Sequence, residues 1–455
     1  MPDVRPPSVD AVLRAAEPGL DGEDRAAVAA VARAVIGDER AALATGAAQR
    51  SPAELAESVL ARLRDLRDPD AGSRAAGLEP VINATGVILH TNLGRAAWPQ
   101  VAIDAAVAAA ATPSMLELDR ETGRRGRRFS AVEDEVVALT GAEAALVTNN
   151  NAAAVAIAVG LAGRGGVAVS RSELVEIGGG VRIPDVVRRA GARLVEVGTT
   201  NRTRVADFEE VLASGRARLV LRVHPSNFAQ TGFVEAPDAV ELAGAAHRHG
   251  AIVVDDLGSG ALIDTARFGL AHEPMPSERL AAGADLVTFS GDKLVGGPQA
   301  GIVAGRRDLV EKLRKDPLAR AMRPDKVILA ALAATLRLYR AGTAHAEIPI
   351  WRQIAAPVEE LERRARGLAG GLGDRRATVA MTESTIGGGS LPGQTLPSWS
   401  VSIEAPAPGR LLAKLRGGTP AVIGRIVDEA VVLDLRTVEP SDDARLAQAI
   451  AAAIG

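Results

Sequence analysis

Lys293 stands in Ser290-Gly291-Asp292-Lys293-Leu294-Val295-Gly296-Gly297-Pro298, a glycine-rich loop behind the apolar run 286–289. That run is unbroken by polar alternation and bounded by turn residues, so it reads as a buried strand. Most lysines are surface residues. One delivered by a buried strand into a Gly-Gly-Pro turn is placed to lose its proton and act as an amine nucleophile, as the Schiff-base lysines of pyridoxal phosphate enzymes do. A structural or phosphate-binding lysine is the competing reading of the same spacing.

Other side chains supply what such an amine would need. Asp255 ends the apolar run 251–255 upstream of the lysine, and a carboxylate there can hold a pyridine nitrogen protonated. A helix cap or turn aspartate is the plainer reading, and Asp256 is the alternative for the same role. Thr148-Asn149-Asn150-Asn151-Ala152-Ala153 joins a strand pattern to an Ala-rich helix pattern. Its helix-start amides, at Asn150, Asn151 and Ala152, suit a phosphate, with the Ser290 hydroxyl as a further donor. Asn-rich turns are also common without any ligand. Arg95, Arg320 and Arg323 lie in loops marked by glycine or proline and can fork onto oxyanions, against the ordinary explanation of surface solvation. Arg124-Arg125-Gly126-Arg127-Arg128 is a basic run that reads equally as a polyanion or subunit contact and as a solvated loop. The six histidines show no metal-ligand spacing, and no metal site is expected.

The 455 residues exceed one typical domain, so two or three are expected. A formal charge of −3 with 24% charged residues carries no global basic excess that would announce nucleic acid. With aromatics at 2%, the core must be built from Ala, Val, Leu and Ile. Absence of cysteine excludes disulfides, thiolate metal ligands and a thiol nucleophile. The start, Met1-Pro2-Asp3-Val4-Arg5-Pro6-Pro7, has no signal-peptide core, and no run of about 18 apolar residues exists. A cytoplasmic protein with no membrane span is expected.

Residues 8–75 read as helical, with Ser8 capping the first helix and amphipathic patterns over 26–36 and 52–66; 67–73 is a turn-rich linker. From Val81 short apolar runs at 144–148, 166–170, 194–197, 219–223 and 251–255 alternate with helical patterns at 152–161, 184–190, 207–212 and 238–249. This alternation predicts an α/β fold with a mostly parallel sheet covered on both faces, and ligands at the carboxyl ends of its strands. A long helix over 327–340 leads into a smaller α+β part. The expected domains are 1–75, 76–325 and 326–455. On composition alone the N-terminal block is a packing or oligomerisation domain.

With these pieces placed, long motifs spread along the chain carry a resemblance: Ile82-Asn83-Ala84-Thr85-Gly86, His90-Thr91-Asn92-Leu93-Gly94-Arg95, Thr148 to Ala153, and Val197-Gly198-Thr199-Thr200-Asn201-Arg202. Asp256-Leu257-Gly258-Ser259-Gly260, Ser290 to Gly301, and Gly387-Gly388-Gly389-Ser390-Leu391-Pro392-Gly393 continue it. The chain resembles bacterial selenocysteine synthases, the L-seryl-tRNA(Sec) selenium transferases, which are pyridoxal 5'-phosphate enzymes of the aspartate-aminotransferase-like fold, fold type I. The resemblance implies that Lys293 carries the cofactor, that the N-terminal domain grips tRNA(Sec) charged with serine, and that a cofactor-bound aminoacrylyl intermediate accepts selenium from selenophosphate. It further implies that Arg95, Arg320 and Arg323 form the selenophosphate site, that Asp292 assists proton transfer or orients Lys293, and that Thr199 and Thr200 lie near the acceptor end. A dimer-based homo-oligomer, in a larger ring, is implied too. His224-Pro225-Ser226-Asn227-Phe228 departs from the family's usual His-Thr-Ser-Asn-Tyr. The rival functions are a lyase using the same cofactor on a small amino acid or amino sugar, and a non-catalytic RNA-binding relative.

Overall fold

Three capped helices open the chain. In α1 (Val9–Ala16) the Ser8 hydroxyl accepts from Ala11 N at 3.2 Å, and in α2 (Arg25–Ala44) the Asp24 carboxylate accepts from Ala27 N at 2.9 Å. Ahead of α3 (Pro52–Arg67), Ser51 and Glu54 close a reciprocal capping box. Each such cap is worth about 1 kcal/mol. Val12, Val28, Ala32, Leu55 and Val59 form the core between the helices. The computed structural model describes residues 5–68, 77–128, 130–177, 180–373 and 376–455, so most of the expected linker at 67–73 lies outside them. The chain divides into two compact units, Met1–Val81 and Ile82–Gly455.

The second unit is built on a seven-stranded sheet: β1 (Ala144–Thr148), β2 (Gly166–Ser170), β3 (Arg193–Val197), β4 (Leu219–Val223), β5 (Ile252–Gly258), β6 (Leu286–Ser290) and β7 (Gly301–Gly305), in spatial order β1-β7-β6-β5-β4-β2-β3. All neighbours run parallel except β7, which is antiparallel to β6 and β1. Helices α4 (Asn151–Val159), α5 (Ile183–Arg189), α6 (Val205–Ala213) and α7 (Ala239–Arg248) are the crossovers. The strands are continuous apolar runs because both faces are covered. Successive residues therefore feed opposite layers. Leu146, Leu221, Val254 and Leu286 pack with Ile157 of α4, whereas Val147 and Val287 pack with Leu332 and Leu336 of α8 (Lys326–Ala341), and Val220 and Val253 with Phe208 and Leu242.

Beyond α8 comes a five-stranded sheet. Its strands are β8 (Ala377–Gly387), β9 (Thr395–Glu404), β10 (Arg425–Val427) and β11 (Ala430–Asp434), with Val87–Leu89 parallel to β8 at one edge. This pairing joins the start of the unit to its last third. α9 (Val358–Leu372) and α10 (Asp443–Ile454) pack on that sheet through Leu361, Ala365, Leu446 and Ile450.

Candidate active site

The loops after β1, β4, β5 and β6 converge at the carboxyl end of the large sheet on a cavity of about 240 Å³. Lys293, Asp292, Arg95, Ser290, Asp256 and the 150–152 turn line it together. Period-two alternation decides which aspartate arrives. Asp256 and Gly258 share the parity of Val254, while Asp255 shares that of Val253 and turns to the other face. The expectation for Asp255 is corrected on this ground: Arg279 Nε lies 3.7 Å from its carboxylate, away from the lysine. Asp256, 3% exposed, accepts from Asn151 Nδ2 and Thr288 Oγ1, both at 2.8 Å. Burial pushes its carboxyl above the usual range, and those two hydrogen bonds and Lys293 offset the push only in part.

Lys293 is 6% exposed. Burial and, after it, the Arg95 guanidinium hold its ammonium below the ordinary lysine value, while Asp256, Asp292 and Glu273 pull the other way. An amine in that state is more readily neutral and nucleophilic. Backbone comes unusually close to it. A Cβ on Gly389 would sit 2.5 Å from Nζ, so the segment after β8 closes over the lysine only as glycine, at φ 92°. Arg95 holds φ 66°, a left-handed conformation costly for a residue with a side chain. It donates from Nη1 to Asp292 Oδ2 at 2.8 Å.

The loop carrying Lys293 is braced from outside. Tyr339, the only tyrosine, donates to the carbonyls of Leu294 and Val295 at 2.9 Å, and Trp351 Nε1 lies 2.9 Å from Leu294 O. Tyr339→Phe leaves a buried carbonyl short of a donor. It is expected to lower the unfolding free energy by about 1–3 kcal/mol in urea denaturation.

Asn150 spends its side chain capping α4, accepting from Ala153 N at 2.9 Å. Asn151 spends its amide on Asp256, leaving its buried Oδ1 without a donor among the described residues. What these residues offer an anion is therefore the backbone N–H groups at the helix start, with the Ser290 hydroxyl on the same cavity. Gly301 makes the tight turn possible, since a Cβ there would stand 2.1 Å from Asn150 O.

Pyridoxal phosphate fits these parts. A depressed lysine amine suits its aldehyde, a helix start suits its phosphate, and the buried Asp256 carboxylate suits a cationic ring nitrogen that would relieve its desolvation.

The remaining expected residues lie elsewhere. Arg320 and Arg323 line a separate cleft of about 430 Å³ with Arg125, Arg127 and Arg128, where Arg323 approaches Glu117 at 3.5 Å. Most of the basic run is paired there: Arg125 and Arg128 with Glu117 at 2.7 and 3.0 Å, Arg127 with Glu133 at 3.1 Å. The loop bearing Arg320 and Arg323 still abuts the cradle, because Met322 O accepts from Asn149 N at 2.7 Å. Thr199 and Thr200 are exposed in a turn after β3, where the Thr199 hydroxyl donates to Arg202 O at 2.9 Å. Glu273 and Gly389 belong to the surroundings of the lysine without having been marked for that role by the sequence. Gly389 lies inside the glycine-rich run 387–393, whereas nothing local distinguishes Glu273. Among the described residues no group of three or more His, Asp or Glu could hold a metal ion, and no helix is long and apolar enough to cross a membrane.

A family model described as L-seryl-tRNA selenium transferase matches residues 81–439. The chain is similar to the L-seryl-tRNA(Sec) selenium transferase of Hyphomonas neptunium, at 45% identity over 96% of this chain and 95% of the relative. It is similar to that of Rhizobium meliloti at 43% identity over 99% and 97%. Among solved structures, D-glucosaminate-6-phosphate ammonia-lyase shares the fold with a TM-score of 0.60 at 21% identity, covering 84% of this chain and 97% of that one.

Proposed function

This chain belongs to the L-seryl-tRNA selenium transferase family, and from that premise we infer that it converts seryl-tRNA(Sec) to selenocysteinyl-tRNA(Sec) at the Lys293 cavity. It is a pyridoxal 5'-phosphate enzyme of fold type I. The observation that carries the reading is a buried, pKa-depressed lysine sharing one cavity with a buried aspartate and a helix start.

When bound, the cofactor supplies an aldehyde for the lysine and a ring that draws electrons from the seryl Cα. Lys293 takes the aldehyde, Asp256 the ring nitrogen, and the amides of Asn151 and Ala152 with Ser290 the phosphate. Lys293, whose charged form burial disfavours, removes the Cα proton. Asp292 keeps Arg95 in place through their ion pair. The seryl carboxyl is an ester, so no arginine is needed to clamp a free carboxylate. Arg95 is therefore left for the selenium donor, selenophosphate, whose multiple charge needs a cationic pocket. Arg320 and Arg323 line no part of this cavity within one chain and would serve it across an interface between two copies. That role requires a dimer-based homo-oligomer, and the larger ring is what the family resemblance implies. The helical block 1–75 grips the tRNA, 76–325 carries the cofactor, and 326–455 is the small domain. The cytoplasm, where aminoacyl-tRNA is made, is the setting.

The test is one assay with selenophosphate and, side by side, seryl-tRNA(Sec), seryl-tRNA(Ser) and free serine. Only the first is expected to give selenocysteinyl product. Breakdown of free serine with no tRNA product would instead identify a lyase. Removal of residues 1–75 is expected to weaken tRNA binding in a filter or anisotropy assay by at least about 100-fold, the contacts to a polyanion being lost. The visible absorbance of the bound cofactor should remain.

A further inference from the structure

Two protons move when a seryl hydroxyl departs: one leaves Cα, and one must reach the oxygen, since hydroxide is a poor leaving group. Lys293 accounts for the first. Four other titratable side chains line the cavity, Arg95, Asp256, Asp292 and His224. Arg95 and Asp292 are committed to each other at 2.8 Å, and Asp256 accepts two hydrogen bonds at 2.8 Å. His224 has one polar side-chain contact among the described residues, with Glu273, and imidazole is the one group type among the four whose ordinary proton exchange falls near neutral pH.

Its placement is built. His224 follows β4, with its N–H donating to Asp256 O at 2.8 Å. Nε2 lies 3.3 Å from Oε1 of Glu273, a residue 2% exposed; the approach is that of an ion pair, not an aligned hydrogen bond, and that oxygen has no hydrogen-bond partner among the described residues. A buried carboxylate this close to Nε2 favours a proton on that nitrogen and orients the ring. The other charged groups of the cavity are Lys293, Arg95, Asp256 and Asp292, and Arg222 on β4, two residues before His224, pairs with Glu173 at 2.9 Å. Burial raises the Glu273 carboxyl, but His224, Ser259 and the Leu391 N–H together outweigh it and the net shift is downward.

We propose that His224, positioned by Glu273, is the catalytic acid that protonates the departing seryl hydroxyl. The Cα–H bond breaks, its proton passing to Lys293 and its electron pair forming the second Cα–Cβ bond. The Cβ–O bond breaks, the oxygen takes a proton from His224 and leaves as water, and the imidazole is left neutral. This rests on the seryl-tRNA reading above.

The experiment compares His224→Gln with the wild type on seryl-tRNA(Sec) and on β-chloroalanyl-tRNA(Sec), whose chloride leaves without a proton. Turnover is expected to fall about 10²–10³-fold on the first and less than about 3-fold on the second. Equal losses on both, or no loss on either, overturn the assignment. In Glu273→Gln the alkaline limb of the kcat–pH profile should move to lower pH, because the imidazolium loses its counter-charge. An unmoved limb removes Glu273 from the positioning role. A readout independent of turnover is the His224 Nε2 proton resonance, identified by its disappearance in His224→Gln. It is expected as a downfield signal that exchanges slowly with water, and its absence overturns the pair even where Glu273→Gln does not fold. A wild type inert toward seryl-tRNA(Sec) counts against the functional reading instead, and the Nε2 proton resonance still decides the His224–Glu273 pair.

Discussion

Lys293→Ala is expected to abolish the visible absorbance of the cofactor adduct and to lower conversion of seryl-tRNA(Sec) by more than about 10³-fold. The lysine makes the covalent link and takes the Cα proton, and losing a positioned base alone costs about 10²–10⁴-fold. No other side chain lining the cavity is a primary amine, so none can make the covalent link in its place. The fold should persist, because the change removes a buried amine whose charged form burial already disfavours. Thermal unfolding checks that point, and absorbance with single-turnover conversion checks the chemistry. An alanine variant that still forms selenocysteinyl-tRNA would move the nucleophile to another residue.

The second large effect separates two neighbours. Asp256→Asn should lower turnover by about two orders of magnitude, the scale for loss of one preorganised electrostatic partner in a dry site. Tight cofactor binding should weaken with it. Asp255→Asn should leave turnover within a few-fold and act on stability instead, since Asp255 shares its surroundings with Glu173, Arg222 and Arg279. Removing its negative charge leaves Arg222 and Arg279 less compensated. The measurement is kcat for both variants beside cofactor titration and urea denaturation. Equal loss of kcat in the two would mean that strand parity does not decide the partner of the ring nitrogen.

Much of the frame was legible in the residues. The runs 144–148, 166–170 and 219–223 are strands to the residue, because unbroken Ala/Val/Leu stretches between turn residues have no other way to bury both faces. The lysine loop was legible for a related reason: glycines packed so densely mark backbone that must pass close to something. The choice between Asp255 and Asp256 was not, since two adjacent carboxylates at a strand end differ only in which layer each faces. The strand also runs to Gly258, three residues past its expected end, so the strand-end position itself was misplaced. Glu273 was hidden because its partner, His224, lies 49 positions earlier with no local pattern linking them (273 − 224). Arg320 and Arg323 were marked as oxyanion forks by their loops, but sequence spacing does not say which cavity a loop faces. Neither arginine lines that of Lys293 in one chain.

Gly389 gives the lysine a chronology. The backbone that covers Nζ is drawn from the final fifth of the chain, whereas the amine, the aspartate and the helix start all precede residue 300. During synthesis the ribosome therefore releases the reactive amine well before its cover. A translationally arrested nascent chain ending short of Gly389 should expose Lys293 to acylating reagents that the finished protein resists, so chemical quiescence is acquired only on completion.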